Sequence, residues 1–178
     1  MSPINNTKQI KYLNKSKPFI ESGLDEYSLK KPQNQTSALV IDDNIINQRV
    51  AFIYLKEAGF QKIDLALTGY EASEFFKQRY YSLIVLDIDL PDISGFEICK
   101  NIKQSSRNND TPIIIATSHR ENQIKNRCFA LGAIAVLTKP LNFNLLIKKL
   151  PIELTKENKR IKQNCLNYEM RGYEKKSS

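Results

Sequence analysis

Short apolar runs recur between residues 37 and 150, each ending at a polar residue and each followed by a stretch with helical spacing. Ala38-Leu39-Val40-Ile41 runs into Asp42-Asp43, which has the length and bounds of a buried strand. Ile46, Val50 and Ile53 then recur at helical spacing until Gly59, a glycine stop for a first helix. Ile63-Asp64-Leu65-Ala66 reads as a second strand, and Thr68-Gly69 turns the chain into a helix with Ala72, Phe75 and Phe76 inward. Leu83-Ile84-Val85-Leu86 is the clearest strand; it ends at Asp87 and leads through Pro91 and Gly95 to a helix carrying Ile98 and Ile102. Pro112 introduces a fourth strand, Ile113-Ile114-Ile115-Ala116, followed by a helix around Ile124 to Leu131 that stops at Gly132. A fifth strand, Ile134 to Leu137, precedes Lys139-Pro140 and a last helix with Leu146, Ile147 and Leu150.

Five strand–helix units with strands apolar on both faces predict an α/β domain over residues 37–150. Its five-stranded parallel sheet would be covered by helices on each side. Right-handed crossovers make that sheet doubly wound. Residues 1–36 contain Pro3, Pro18 and Pro32 among many Asn, Gln, Ser and Lys without sustained periodicity, and read as a mostly disordered tail. Pro151 ends the last helix. In 151–178, Ile152, Leu154, Ile161 and Leu166 are too thinly spaced for a second core, so this stretch reads as a basic, partly helical tail without an effector domain.

Charge changes this picture only at the ends. The chain carries a formal net charge of +8. Residues 1–36 hold six Lys against three acids and residues 151–178 seven Lys/Arg against four, while 37–150 hold fourteen basic and twelve acidic residues. The excess therefore sits in the tails. Basic tails attract nucleic acid or anionic surfaces, but no zinc motif, aromatic interleaving or recognition helix accompanies them, and the expected partners are proteins. No apolar run approaches the ~20 residues of a membrane span, and the Lys- and Asn-rich start does not resemble a secretory signal. Cys99, Cys128 and Cys165 show no metal-like spacing and read as structural thiols in a reducing cytoplasm.

The candidate chemistry lies at the carboxyl ends of the strands, where open α/β sheets collect ligands. Asp42 and Asp43 follow the first strand, Asp87 the third, Thr117 the fourth and Lys139 the fifth. A lone Asp after a strand is usually a helix cap; three carboxylates, a hydroxyl and a lysine at matching ends are more specific. Close carboxylates repel, so they must share protons or a cation. Oxygen ligands without His or Cys select a hard ion, with Mg2+ the cellular default. Such an ion beside a lysine would neutralise a phosphoryl group passing to a carboxylate oxygen.

Asp42-Asp43-Asn44, Asp87 with Pro91 and Gly95, Ala116-Thr117 and Lys139-Pro140 resemble, in order and spacing, the response-regulator receiver family of two-component phosphorelays. Asn44 and Asn47 give the likeness a hybrid-kinase flavour. The resemblance implies a flavodoxin-like fold and a signalling domain rather than an enzyme, with Asp87 as phosphoacceptor and Mg2+ as cofactor. It implies that Asp43 and Asp87 bind the ion directly, Asp42 partly through water, and Asp89 through its backbone carbonyl. Thr117 and Lys139 would hold the phosphoryl oxygens. The implied partners are a histidine kinase or histidine phosphotransfer protein, docking near a first helix whose exposed face offers Asn47 and Gln48, and a downstream protein target; a homodimer formed on phosphorylation also belongs to this expectation. Receivers generally carry an aromatic three residues before the lysine, where this chain has Val136, so output would rest on backbone shifts or on Tyr80, Tyr81 or Phe143. Asp89 and His119 are expected either to set the lifetime of the phosphate or merely to face solvent. Two other functions stay open: a binding module that works without phosphorylation, and a haloacid-dehalogenase-like phosphatase using Asp87-Ile88-Asp89.

Overall fold

A computed structural model describes residues 36–151 and Leu154. Strand and helix alternate five times: β1 Ser37–Ile41, α1 Ile45–Glu57, β2 Lys62–Ala66, α2 Gly69–Gln78, β3 Leu83–Leu86, α3 Gly95–Gln104, β4 Ile113–Thr117, α4 Asn122–Ala130, β5 Ala135–Thr138 and α5 Phe143–Lys149. Every pairing is parallel and the strands lie in the order β2-β1-β3-β4-β5. That is the flavodoxin-like order of a doubly wound sheet, as expected. The tails expected at 1–36 and 151–178 fall almost wholly outside the described residues. Among the described residues no helix is long and apolar enough to cross a membrane.

Alternation along the strands feeds two cores, one on each face of the sheet. Leu39, Ile41, Ile84, Leu86, Ile113 and Ile115 meet residues of α2, α3 and α4, among them Phe76, Ile98, Ile102 and Cys128. Ala38, Val40, Leu83, Val85, Ile114 and Ala116 meet Ala51 and Leu55 of α1 and Leu146 and Ile147 of α5. Cys99 and Cys128 are buried free thiols, and burial pushes Cys99 up to about 11, which fits a structural role. Cys165 lies outside the described residues.

Helix α1 corrects the sequence reading. Ile46 and Ile53 are 74% and 48% exposed, while the buried face is Gln48, Ala51 and Leu55. The cause is polar. The carbonyls of Asp42 and Ala66 both take a hydrogen bond from the buried Gln48 amide, at 3.0 and 2.7 Å. Leaving the Asp42 carbonyl unpaired would cost about 1–3 kcal/mol, a penalty that favours this phase of the helix. Gln48 is thus unavailable as an exposed docking residue. Two smaller differences concern β5, which starts at Ala135 with Ile134 exposed, and β4, which includes Thr117.

Near the amino ends of β3 and β4 a buried asparagine gathers neutral hydrogen bonds. Asn108, fully buried, donates to the carbonyls of Phe76 and Arg79 at 2.7 and 2.8 Å. Its carbonyl oxygen accepts from the Tyr81 N–H at 2.9 Å and the Thr111 hydroxyl at 3.1 Å. The Tyr81 hydroxyl reaches across to Asp64 of β2 at 2.8 Å.

Candidate functional site

Strands β1 and β3 are neighbours while the chain winds outward from them in opposite directions, which opens a crevice beyond their carboxyl ends. Asp42 and Asp43 leave β1 there and Asp87 leaves β3. One oxygen from each of the three carboxylates lies within 4.8 Å of the others; Asp42 and Asp87 are buried and Asp43 is exposed. Lys139, directly after β5, reaches into the same cluster. Its ammonium lies 2.6 Å from Asp42 Oδ2 and also bonds Asp87 Oδ2. Four of the residues picked from sequence therefore meet at one point.

The charges there do not balance, since three carboxylates face one ammonium. Burial pushes the Asp87 carboxyl above its ordinary range, and the hydrogen bond from Lys139 only partly offsets it. For Lys139 burial pulls the other way, yet its hydrogen bonds with Asp42 and Asp87 hold the ammonium above its usual value. A donor set made of oxygens, with negative charge in excess, fits a hard divalent cation.

Thr117 ends β4 fully buried, and its hydroxyl accepts the His119 N–H at 3.1 Å. The Asp89 N–H donates to Asp87 Oδ1 at 3.2 Å, which turns the backbone after β3 tightly around the acceptor. Gly95 is required by that turn: a Cβ there would lie 2.3 Å from the Asp87 carbonyl oxygen. The side chains of Asp89 and His119 bond each other at 3.1 Å between the β3–α3 and β4–α4 loops, and His119 Nδ1 lies 3.5 Å from Glu121. The hydrogen bond to Asp89 holds the exposed imidazole above its ordinary value.

Two contacts escaped sequence reasoning. Asn47, expected on the exposed face of α1, turns back so that its amide donates to Asp42 Oδ1 at 3.2 Å. Asp92 joins the β3–α3 loop to α2 by accepting from the Gly69 and Tyr70 N–H groups, each at 2.9 Å. Two of the aromatic residues considered for output are otherwise engaged. Tyr81 is buried at the opposite end of the sheet, and Phe143 packs against Tyr54 with ring centroids 5.4 Å apart. Val136 is half-buried against the core under α3 and α4.

A sequence profile for the response regulator receiver domain matches residues 38–151. The chain is 31% identical over 148 residues to hybrid signal transduction histidine kinase K of Dictyostelium discoideum, covering 79% of this chain and 12% of that much longer protein. Among solved structures, Vibrio cholerae chemotaxis protein CheY4 superposes with a TM-score of 0.61 at 29% identity, covering 65% of this chain and 96% of CheY4. The receiver domain of sensor histidine kinase PA1611 from Pseudomonas aeruginosa PAO1, solved with a magnesium ion coordinated in its active-site cleft, matches in fold with a TM-score of 0.59 at 24% identity. That match covers 68% of this chain and 96% of that one.

Proposed function

The chain belongs to the response regulator receiver domain family, and on that premise we propose that it takes a phosphoryl group from a partner phosphohistidine onto Asp87. The observation carrying this reading is the meeting of Asp42, Asp43 and Asp87 within 4.8 Å, with Lys139 on two of them. An Asp87 oxygen forms a bond to phosphorus as the donor's N–P bond breaks. The donor imidazole keeps the electron pair and is reprotonated from solvent. Lys139, already in contact with Asp87, exchanges a carboxylate oxygen for a phosphoryl oxygen and stays paired throughout. The Thr117 hydroxyl becomes the second donor to that group once it leaves the His119 N–H. Asp42, Asp43, Asp87 and the backbone carbonyl of Asp89 are the proposed holders of Mg2+, Asp42 partly through water. When bound, the ion neutralises charge on the phosphoryl oxygens.

The proposed donor is a cytoplasmic histidine kinase or histidine phosphotransfer protein. The face of α1 open to it carries Ile45, Ile46 and Ile53 rather than Gln48. Output runs through the surface of α4, β5 and α5, where Phe129, Ile134 and Leu145 are exposed, towards a downstream protein or a second phosphorylated copy. With Val136 in place of an aromatic, backbone shifts rather than a swinging ring carry the change.

Incubation with phosphorylated donors from the same cell, with and without EDTA, tests this reading. Transfer dependent on Mg2+ is the expected result. No transfer from any donor, together with no labelling by acetyl phosphate, would instead favour a binding module that works without phosphorylation.

A further inference from the structure

The start of α1 is organised around Asp42 more closely than helix formation requires. Asn44 already caps the helix, its side-chain oxygen accepting from the N–H groups of Ile46 and Asn47. The Asn47 side chain is therefore left over from capping, and its amide points to Asp42 Oδ1 at 3.2 Å. The Asn44 N–H meets the same oxygen at 3.0 Å. Gln48 holds the Asp42 carbonyl, and the Asp42 N–H donates to the Ala66 carbonyl at 3.1 Å. Backbone and carboxylate of Asp42 are thus both fixed from outside the acidic cluster. With Oδ1 occupied by two donors, Oδ2 is the oxygen turned to the cluster, where Lys139 joins it to Asp87.

We propose that Asn47 is a positioning residue for the cation site, its amide locking the Asp42 carboxylate so that Oδ2 faces Asp87. The proposal rests on the reading of that cluster as a Mg2+ site, and it adds a residue that touches neither the ion nor the phosphoryl group. Without Asn47 the Asn44 N–H alone would hold Oδ1 from outside the cluster, and ordering the loosened carboxylate would cost binding free energy. Donors that orient a ligand from behind typically alter metal affinity by about tenfold or more when removed. Gln48 does related work on the backbone, but it is buried and also closes the ends of β1 and β2, so its loss would unsettle the fold itself.

The test is calorimetric titration of the full chain with MgCl2 alone, comparing the parent with Asn47→Ala and with Asn47→Ser, whose side chain is too short to reach Asp42. Metal-free melting curves run alongside. The proposal expects the Mg2+ dissociation constant to rise about tenfold in both variants while the metal-free midpoint stays close to the parent's. Labelling by acetyl phosphate should then need more Mg2+ but reach the same plateau. Folded variants whose Mg2+ affinity stays within twofold of the parent's would overturn the role of Asn47 alone. A parent chain that binds no Mg2+ would overturn the site reading and the proposal together.

Discussion

The two ends of the sheet solve opposite problems. At the amino ends of β3 and β4, the fully buried Asn108 has both amide hydrogens and its carbonyl oxygen engaged by neutral partners. At the carboxyl ends, two buried carboxylates and one exposed carboxylate crowd around a single ammonium. The first arrangement stabilises the fold without any ligand, because each buried polar group has its partner. The second sets three carboxylates against one ammonium, and burial displaces the Asp87 carboxyl upward. It is settled only by a cation or a proton. One end closes on itself, and the other stays open to a cation.

The contrast breaks most sharply at Asn108. Asn108→Ala should strip four hydrogen bonds from a closed site and cost about 3 kcal/mol or more of stability, read as a lower urea midpoint. The folded fraction should keep the parent's Mg2+ affinity. A variant as stable as the parent would mean that the amino end carries no special load.

Asp89 and His119 sharpen the comparison at the reactive end. Their side chains join two loops beside Asp87 without entering the buried core. We expect Asp89→Ala and His119→Ala to change the decay rate of the acyl phosphate by several-fold, with little effect on melting. Unchanged decay in both would reduce the pair to a surface contact.

The smallest effect concerns Asp92. Burial acts to raise its pKa, but the N–H groups of Gly69 and Tyr70 outweigh it and hold the carboxyl below its ordinary range. Such a group stabilises the fold above its unfolded pKa of about 3.9 and loses that contribution as pH falls through the lower, folded value. Asp92→Ala should therefore lower stability slightly at pH 7, with the difference from the parent vanishing in acid below that window. A penalty independent of pH would show that packing, not the carboxylate, ties the loop to α2.

Much of this was legible in the sequence because burial and position leave simple signatures. Leu83 to Leu86 and Ile113 to Ala116 are apolar on both faces, and only a covered parallel strand accommodates that. Asp42, Asp87 and Lys139 were found because parallel strands deliver their carboxyl ends to one edge. The phase of α1 was hidden, since its most hydrophobic residues, Ile45, Ile46 and Ile53, face outward while a glutamine faces in. That inversion follows from two carbonyls 24 residues apart in sequence, Asp42 and Ala66, which no local pattern can announce. Asp92 was missed for a like reason: its partners begin a helix 22 and 23 residues earlier.

Asp87 is the proposed destination of the phosphoryl group. The direct measurement is mass spectrometry of the intact chain after incubation with acetyl phosphate and Mg2+, beside Asp87→Asn. The account predicts one hydroxylamine-labile phosphate on the parent and none on the variant, with the variant folded and melting no lower than the parent in metal-free buffer. Equal labelling of a folded Asp87→Asn protein would contradict it.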